Sequence, residues 1–338
     1  THASVPFRDQ VAGFTSVMVE RIQDLGGAVL AGQTTASEFG GVNVTRTVLH
    51  GTTHNPWQHG RTPGGSSGGT SAAVSGGLVT IATGGDGGGS IRIPAGFTGL
   101  VGLKATIGRI PRGPQAEYGN LTVTIGCLSR SVRDTARWFD VCNGYEARDP
   151  LSLPRVHGWE AGLGSNLAAL RGARVAVVPT WGNAAVSPIM WELLDEAAGA
   201  LISDNGMTRV DDIDTKLPNM GAAWSISGMI AVESQLGDLW PACADQLTPE
   251  MRYGLESTKG LYNAQARAKI ERRRIELNEA MARIFDPVDG VDFIVAATNP
   301  DVAFDADGPL PSVFGGIEAG AKNNGRLTFP ANLYGNPA

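Results

Sequence analysis

The stretch between residues 64 and 94 constrains this chain more than any other. It begins Gly64-Gly65-Ser66-Ser67-Gly68-Gly69-Thr70-Ser71, passes through Thr83-Gly84-Gly85-Asp86, and closes as Gly87-Gly88-Gly89-Ser90-Ile91-Arg92-Ile93-Pro94. Glycine at this density suits a flexible linker. The embedded Asp86, Arg92 and Pro94, with apolar VTIAT before the loop and GLVGLK after it, argue instead for an ordered loop inside a core. Three glycines leading into a serine can aim consecutive backbone N–H groups at one point, which binds an oxyanion without side chains. A serine held there becomes a nucleophile once another group takes its proton.

The proton acceptor is not evident. The five histidines, His2, His50, His54, His59 and His157, stand in no obvious catalytic context. A second serine, Ser66, lies twenty-four positions before Ser90 in its own glycine setting, and Ser-Lys arrangements are a recognised alternative to Ser-His-Asp. Gly64-Gly65-Ser66-Ser67-Gly68 also fits G-x-S-x-G, but that elbow follows a hydrophobic strand. The residues before it, His59-Gly60-Arg61-Thr62-Pro63, are turn-like. A P-loop is excluded because no lysine accompanies the glycines, and dinucleotide spacing is met here only because nearly every residue is glycine.

Residues 61–112, RTPGGSSGGTSAAVSGGLVTIATGGDGGGSIRIPAGFTGLVGLKATIGRIPR, resemble the signature region of the amidase signature family. EFGGVNVTRTVLHGTTHNPW (38–57) is similar to the segment preceding that signature, and LTFPANLYGNPA (327–338) to the family's approach to its C-terminal part. The resemblance implies an α/β fold, a central mixed β-sheet covered by helices on both faces. It implies amide hydrolysis by a Ser-cisSer-Lys triad through an acyl-serine intermediate, with esters and carbamates as further substrates. Ser90 matches the nucleophile and Ser66 the bridging serine, with a cis peptide bond between Gly65 and Ser66. Gly87, Gly88 and Gly89, with the Ser90 N–H, match the oxyanion hole. Ser67, Asp86 and Arg92 match positions that brace it. The family's lysine has no counterpart before Ser66. The first lysine, Lys104, matches a different family position. A longer protein carrying that lysine in an upstream segment, and a further C-terminal end, is therefore expected. Thr70, Gly87 and Ala105 depart from the usual pattern, and Gly87 implies extra room beside the nucleophile.

Two other functions share these residues. One is the glutaminase subunit of a tRNA-dependent amidotransferase, although Ile93 stands where that subunit usually has glutamine. The other is a non-catalytic binding protein on the same fold. No metal or cofactor is expected. The expected partners are a small-molecule amide, ester or carbamate, with a homodimer as one arrangement.

The remaining sequence fits a single domain over 1–338. No low-complexity block divides it, and 42% hydrophobic residues support a sizeable core. A net charge of −6 argues against a nucleic-acid groove. Arg272-Arg273-Arg274 lies in a long helical pattern over 261–285 and reads as a solvated face. No apolar run approaches the ~20 residues of a spanning helix. Cys127, Cys142 and Cys243 show neither disulfide nor metal spacing, which fits a reducing compartment and a cytoplasmic location.

Periodicity predicts a helix over 8–26 and a buried strand over 28–32. Further helices are expected over 68–77, 131–142 (Ser131 as N-cap) and 188–201, and strands over 78–82, 100–103, 174–178 and 293–297. Residues 221–285 read as mostly helical, with a part in shaping the substrate pocket. Trp224, Trp240 and Tyr253 are candidates to line it.

Overall fold

A computed structural model describes residues 1–116 and 122–338. Helix α1 is Val17–Asp24. Hairpin strands β1 (Arg46–Thr47) and β2 (Gly51–Thr52) precede helix α2 (Gly68–Ser75). Strand β3 (Ile81–Asp86) runs into the glycine loop, and helix α3 (Arg92–Thr98) leaves it. Strands β4 (Val101–Gly102) and β5 (Thr124–Ser129) follow, then helix α4 (Val132–Cys142). The second half holds β6 (Arg174–Val178), α5 (Pro188–Asp204), β7 (Thr208–Arg209) and α6 (Gly221–Leu236). After these come α7 (Pro249–Thr258), α8 (Ala264–Ile284), β8 (Phe293–Ala296), the hairpin β9 (Val313–Phe314) and β10 (Ile317–Glu318), and α9 (Phe329–Tyr334).

The fold is α/β, with its mixed strand directions divided between two three-stranded sheets among the described residues. In one, β5 lies between β3 and β4, antiparallel to both; its register with β3 runs from Ile81 opposite Ser129 to Asp86 opposite Thr124. In the other, β6 lies between β7 and β8, parallel to both. Parallel neighbours need crossovers, and α5 to α8 supply them.

The packing follows the apolar spacing. Trp138, Phe139 and Cys142 of α4 bury against Cys127 of β5. Leu277, Met281 and Ile284, at helical spacing on α8, bury against Ala176 and Val178 of β6. Each fully buried aliphatic side chain of this kind contributes about 1.5–3 kcal/mol. Ser131 caps α4 by accepting from the Asp134 N–H at 3.0 Å. Arg272 and Arg273 lie on the exposed face of α8, whereas Arg274 turns inward and donates through Nε to the Leu333 carbonyl.

Two expectations for the N-terminal region fail. The helix occupies only residues 17–24 of the expected 8–26, and Val11 is 89% exposed. Residues 28–32 form no strand and are exposed, because no described segment lies alongside to complete a ladder. Within the first segment Met18, Val19 and Ile22 pack against the α4 cluster, whereas Val11, Phe14 and Leu25 stay exposed.

Candidate active site

Strand β3 ends at Asp86, and α3 begins at Arg92, so the residues between them form a short loop pinned at both ends. Asp86 is fully buried and organises that loop. Its Oδ1 accepts from the Gly89 N–H at 2.8 Å, from Arg92 Nη2 at 3.0 Å and from Asn332 Nδ2 at 2.8 Å. Its Oδ2 accepts from the N–H groups of Ile91 (3.2 Å) and Arg92 (3.4 Å), and from Arg92 Nε (3.0 Å). Burial alone would raise the Asp86 pKa. The Arg92 guanidinium, with hydrogen bonds from Arg92, Asn332 and Gly89, overcomes that and holds it at about 2. Arg92 continues outward, donating to the Thr328 carbonyl at 2.9 Å and to Asn332 Oδ1 at 2.6 Å.

The serine segments meet here. The Ser67 N–H donates to the Ser90 carbonyl at 3.2 Å, which sets Ser66 and Ser90 on adjoining strands of backbone. The Gly65–Ser66 peptide bond is cis. Neither the Ser66 nor the Ser90 hydroxyl has a hydrogen-bond partner among the described residues, and both residues are part-exposed. Thr45 holds the first segment: its Oγ1 donates to the carbonyls of Gly64 (2.9 Å) and Ser66 (3.3 Å), and accepts from the Gly68 N–H at 3.1 Å. A Cβ on Gly65 would lie 2.7 Å from the Asn43 carbonyl carbon and the Val44 nitrogen, so only glycine fits this crossing.

The N–H groups of Gly87, Gly88 and Ser90 have no taker among the described residues, whereas the Gly89 N–H is engaged by Asp86. The Gly89 N–H instead locks the loop onto Asp86. Gly89 sits at φ +128°, and a Cβ there would collide with Thr328. The extra room expected beside Gly87 is partly filled, since Val123 Cγ2 lies 3.1 Å from where a Cβ would stand.

Lys104 is fully buried, and its Nζ donates to the Ala105 carbonyl at 2.9 Å. Burial first, then the positive charge of Arg92, lowers its pKa to about 8, against an opposing pull from Asp86. None of its hydrogen bonds among the described residues reaches Ser66.

The chain's sequence matches the profile of the family described as Amidase over residues 1–338. It belongs to the amidase signature family. Enzymes of this family hydrolyse amide C–N bonds. The chain is 31% identical over 353 residues to a glutamyl-tRNA(Gln) amidotransferase subunit from Methanospirillum hungatei, covering 92% of this chain and 74% of that protein. It is 39% identical over 188 residues to an acylamidase of Rhodococcus erythropolis, covering 56% of this chain and 39% of that protein. Among solved structures, a bacterial aryl acylamidase superposes with a TM-score of 0.84 at 26% identity, covering 98% of this chain and 69% of that one. A 6-aminohexanoate cyclic dimer hydrolase superposes with a TM-score of 0.85 at 26% identity, covering 100% of this chain and 73% of that one. The chain thus spans about 70% of the length of these solved relatives, and less than half of several curated ones such as that acylamidase.

Of the three aromatic residues singled out, Trp224 alone touches the loop. Its Nε1 donates to the Gly87 carbonyl at 3.1 Å, and its ring lies against Gly88. Trp240 packs in a separate core cluster with Val232 and Leu247, and Tyr253 is 71% exposed. Beyond Trp224 lies a cleft bounded by α6, α8 and α9 and lined in part by Thr122, Ser227, Tyr262 and Arg274. After β8, Asn299 is buried and donates its amide to the Ile93 carbonyl at 3.1 Å.

Thr45, Thr328 and Asn332 escaped the sequence reading as site residues. Thr328 and Asn332 carried a usable signal: two polar residues four apart within an otherwise apolar segment place both on one buried helical face. Thr45 carried none. Among the described residues no cluster of three or more His, Cys, Asp or Glu side chains could hold a metal, and no helix is long and apolar enough to cross a membrane.

Proposed function

We propose that this chain carries the nucleophile and oxyanion hole of an amidohydrolase acting on linear amides, with esters and carbamates as further substrates. Ser90 Oγ attacks the amide carbon, and its proton passes to Ser66 Oγ. Ser66 hands its own proton to a neutral amine that Lys104 does not supply. The carbonyl oxygen becomes an oxyanion facing the N–H groups of Gly87, Gly88 and Ser90. The C–N bond then breaks while the relay returns a proton to the leaving nitrogen. An acyl ester on Ser90 remains, and water attacks it to release a carboxylic acid and restore the hydroxyl. Ser67, Asp86 and Arg92 hold the geometry without reacting.

The observation that carries this reading is the Ser67 N–H to Ser90 carbonyl bond at 3.2 Å, which joins the two serine segments beside three unspent backbone donors. The test is Ser90→Ala. Turnover of a chromogenic anilide should vanish with the fold intact, and a fluorophosphonate should label Ser90 in the parent protein alone. Unchanged turnover in the variant removes the assignment.

The glutaminase reading draws on the Methanospirillum relative, but Ile93 favours the amidase. It is 2% exposed and packs against Gly89, leaving no polar side chain at that position. Glutamine hydrolysis that appears only with added partner proteins reverses this preference. The helical segment 221–285 shapes the acyl side of the pocket through Trp224.

A further inference from the structure

We propose that the Trp224 indole N–H positions the Gly88 backbone N–H for the oxyanion. This rests on the amidohydrolase reading above. In a trans peptide the C=O of one residue and the N–H of the next point to opposite sides of one rigid plane. Whatever holds a carbonyl therefore aims the following N–H. The loop bonds in this structure are all trans, the cis bonds being Gly65–Ser66, Gly113–Pro114 and Trp240–Pro241.

Four successive planes are fixed in this way. The Asp86 carbonyl accepts from Asn332 Nδ2 at 2.8 Å, which aims the Gly87 N–H. The Gly87 carbonyl accepts from Trp224 Nε1 at 3.1 Å, which aims the Gly88 N–H. The Gly88 carbonyl accepts from Thr328 Oγ1 at 2.5 Å, and the Gly89 N–H opposite it runs to Asp86. The Gly89 carbonyl accepts from the Ile93 N–H at 2.7 Å, which aims the Ser90 N–H. Three of these clamps come from α3, α9 and Thr328 at the start of α9. Trp224 comes from α6.

The indole suits this task. It donates and never accepts, so it can hold only a carbonyl. It is itself held by Phe329, ring to ring at 6.4 Å and 14°. Gly88 admits it, since a Cβ there would lie 2.7 Å from Trp224 Cζ2.

The experiment is Trp224→Phe in the full-length enzyme, which keeps an aromatic ring and deletes the donor. Losing an oxyanion donor outright costs about 10²–10³ in kcat. Losing the group that aims one donor is expected to lower kcat about 10- to 50-fold with KM within twofold. Affinity for a trifluoromethyl ketone analogue should fall in parallel, while ground-state inhibitor affinity holds. A second protein with 3-benzothienylalanine in place of Trp224 retains the bicyclic shape without the N–H, and should show the same loss. Tyr145→Phe, on the exposed surface, should match the parent. A kcat within twofold of the parent in the benzothienyl protein, or a loss carried by KM alone, overturns the inference. If Ser90→Ala is inactive while the Trp224 variants retain full kcat, only this inference falls. If Ser90→Ala retains turnover, the amidohydrolase reading falls first.

Discussion

Replacing Asp86 with asparagine tests whether the loop is held by charge or merely by shape. The two side chains have nearly the same volume, so the packing around position 86 survives. What changes is that Arg92, 9% exposed and bonded to both carboxylate oxygens, loses its counter-charge. Breaking a buried pair from one side costs about 3–5 kcal/mol, because the remaining charge stays buried without compensation. With an m-value of about 3 kcal/mol/M, the urea midpoint should fall by roughly 1–1.7 M. The pH dependence gives an independent reading. The Asp86 pKa is lowered to about 2 from an ordinary value of 3.8, so the folded state favours the carboxylate. Its stabilisation is complete above about pH 4 and is lost as pH falls through 2, a contribution of about 2 kcal/mol at 1.36 kcal/mol per unit. The variant should lack this acid-sensitive component. The assay is urea denaturation followed by tryptophan fluorescence at pH 7, and thermal unfolding between pH 4 and pH 2.5. A midpoint within 0.3 M of the parent, together with an unchanged acid limb, refutes the argument that this ion pair anchors the loop.

Two further perturbations probe other parts of the site. Lys104→Met removes an amine whose pKa burial lowers to about 8. Between pH 8 and the ordinary 10.5 the unfolded chain binds more protons than the folded one, so the parent gains stability as pH rises through that window. The variant should be the more stable protein at pH 7.5, and its advantage in urea midpoint should shrink by pH 10; a pH-independent difference counts against the buried cation. Gly65→Ala sets a Cβ against the backbone of Asn43 and Val44, neither of which can swing aside as a side chain would. A loss of about 2 kcal/mol or more in stability is expected, with fluorophosphonate labelling of Ser90 slowed; a parent-like protein shows that this crossing has slack.

The parts of this site legible from sequence are those whose geometry is written locally. Asp86 and Arg92 flank the glycines closely enough to be bound into one loop by chain connectivity, and Ser131 with Asp134 spells its own helix cap. The serine segments were legible because glycine at a crossing leaves a compositional trace: Gly65, Gly68 and Gly89 each stand where a Cβ would strike a neighbour. The neighbours themselves are distant in sequence and left a fainter trace. Thr328 and Asn332 reach the loop from more than 230 residues away, and Trp224 from 137. Periodicity marks which face of a helix is buried, but it says nothing about what that face meets. The same limit explains the N-terminal errors, where Val11, Phe14 and Leu25 lie exposed although Met18 and Ile22 of the same pattern pack in the core.

The loop's donors and its clamps therefore answer to different parts of the chain. The N–H groups that would meet an oxyanion belong to the short run from Gly87 to Ser90, and glycine there sets what can approach. Their direction belongs to Trp224 of α6, Thr328 and Asn332 at α9 and the Ile93 N–H of α3, which hold the loop through its carbonyls. A substitution on α6 can thus alter turnover without touching substrate, and a change confined to 87–90 can leave every clamp in place. Comparing Trp224→Phe with Gly88→Ala separates the two. The first should lower kcat with the loop still closed on Asp86. The second drives a methyl into the indole and should displace Trp224, which its fluorescence reports. If Gly88→Ala leaves the Trp224 emission unchanged while abolishing turnover, the donors and the clamps are not mechanically connected, and the division of labour drawn from the carbonyl contacts is wrong.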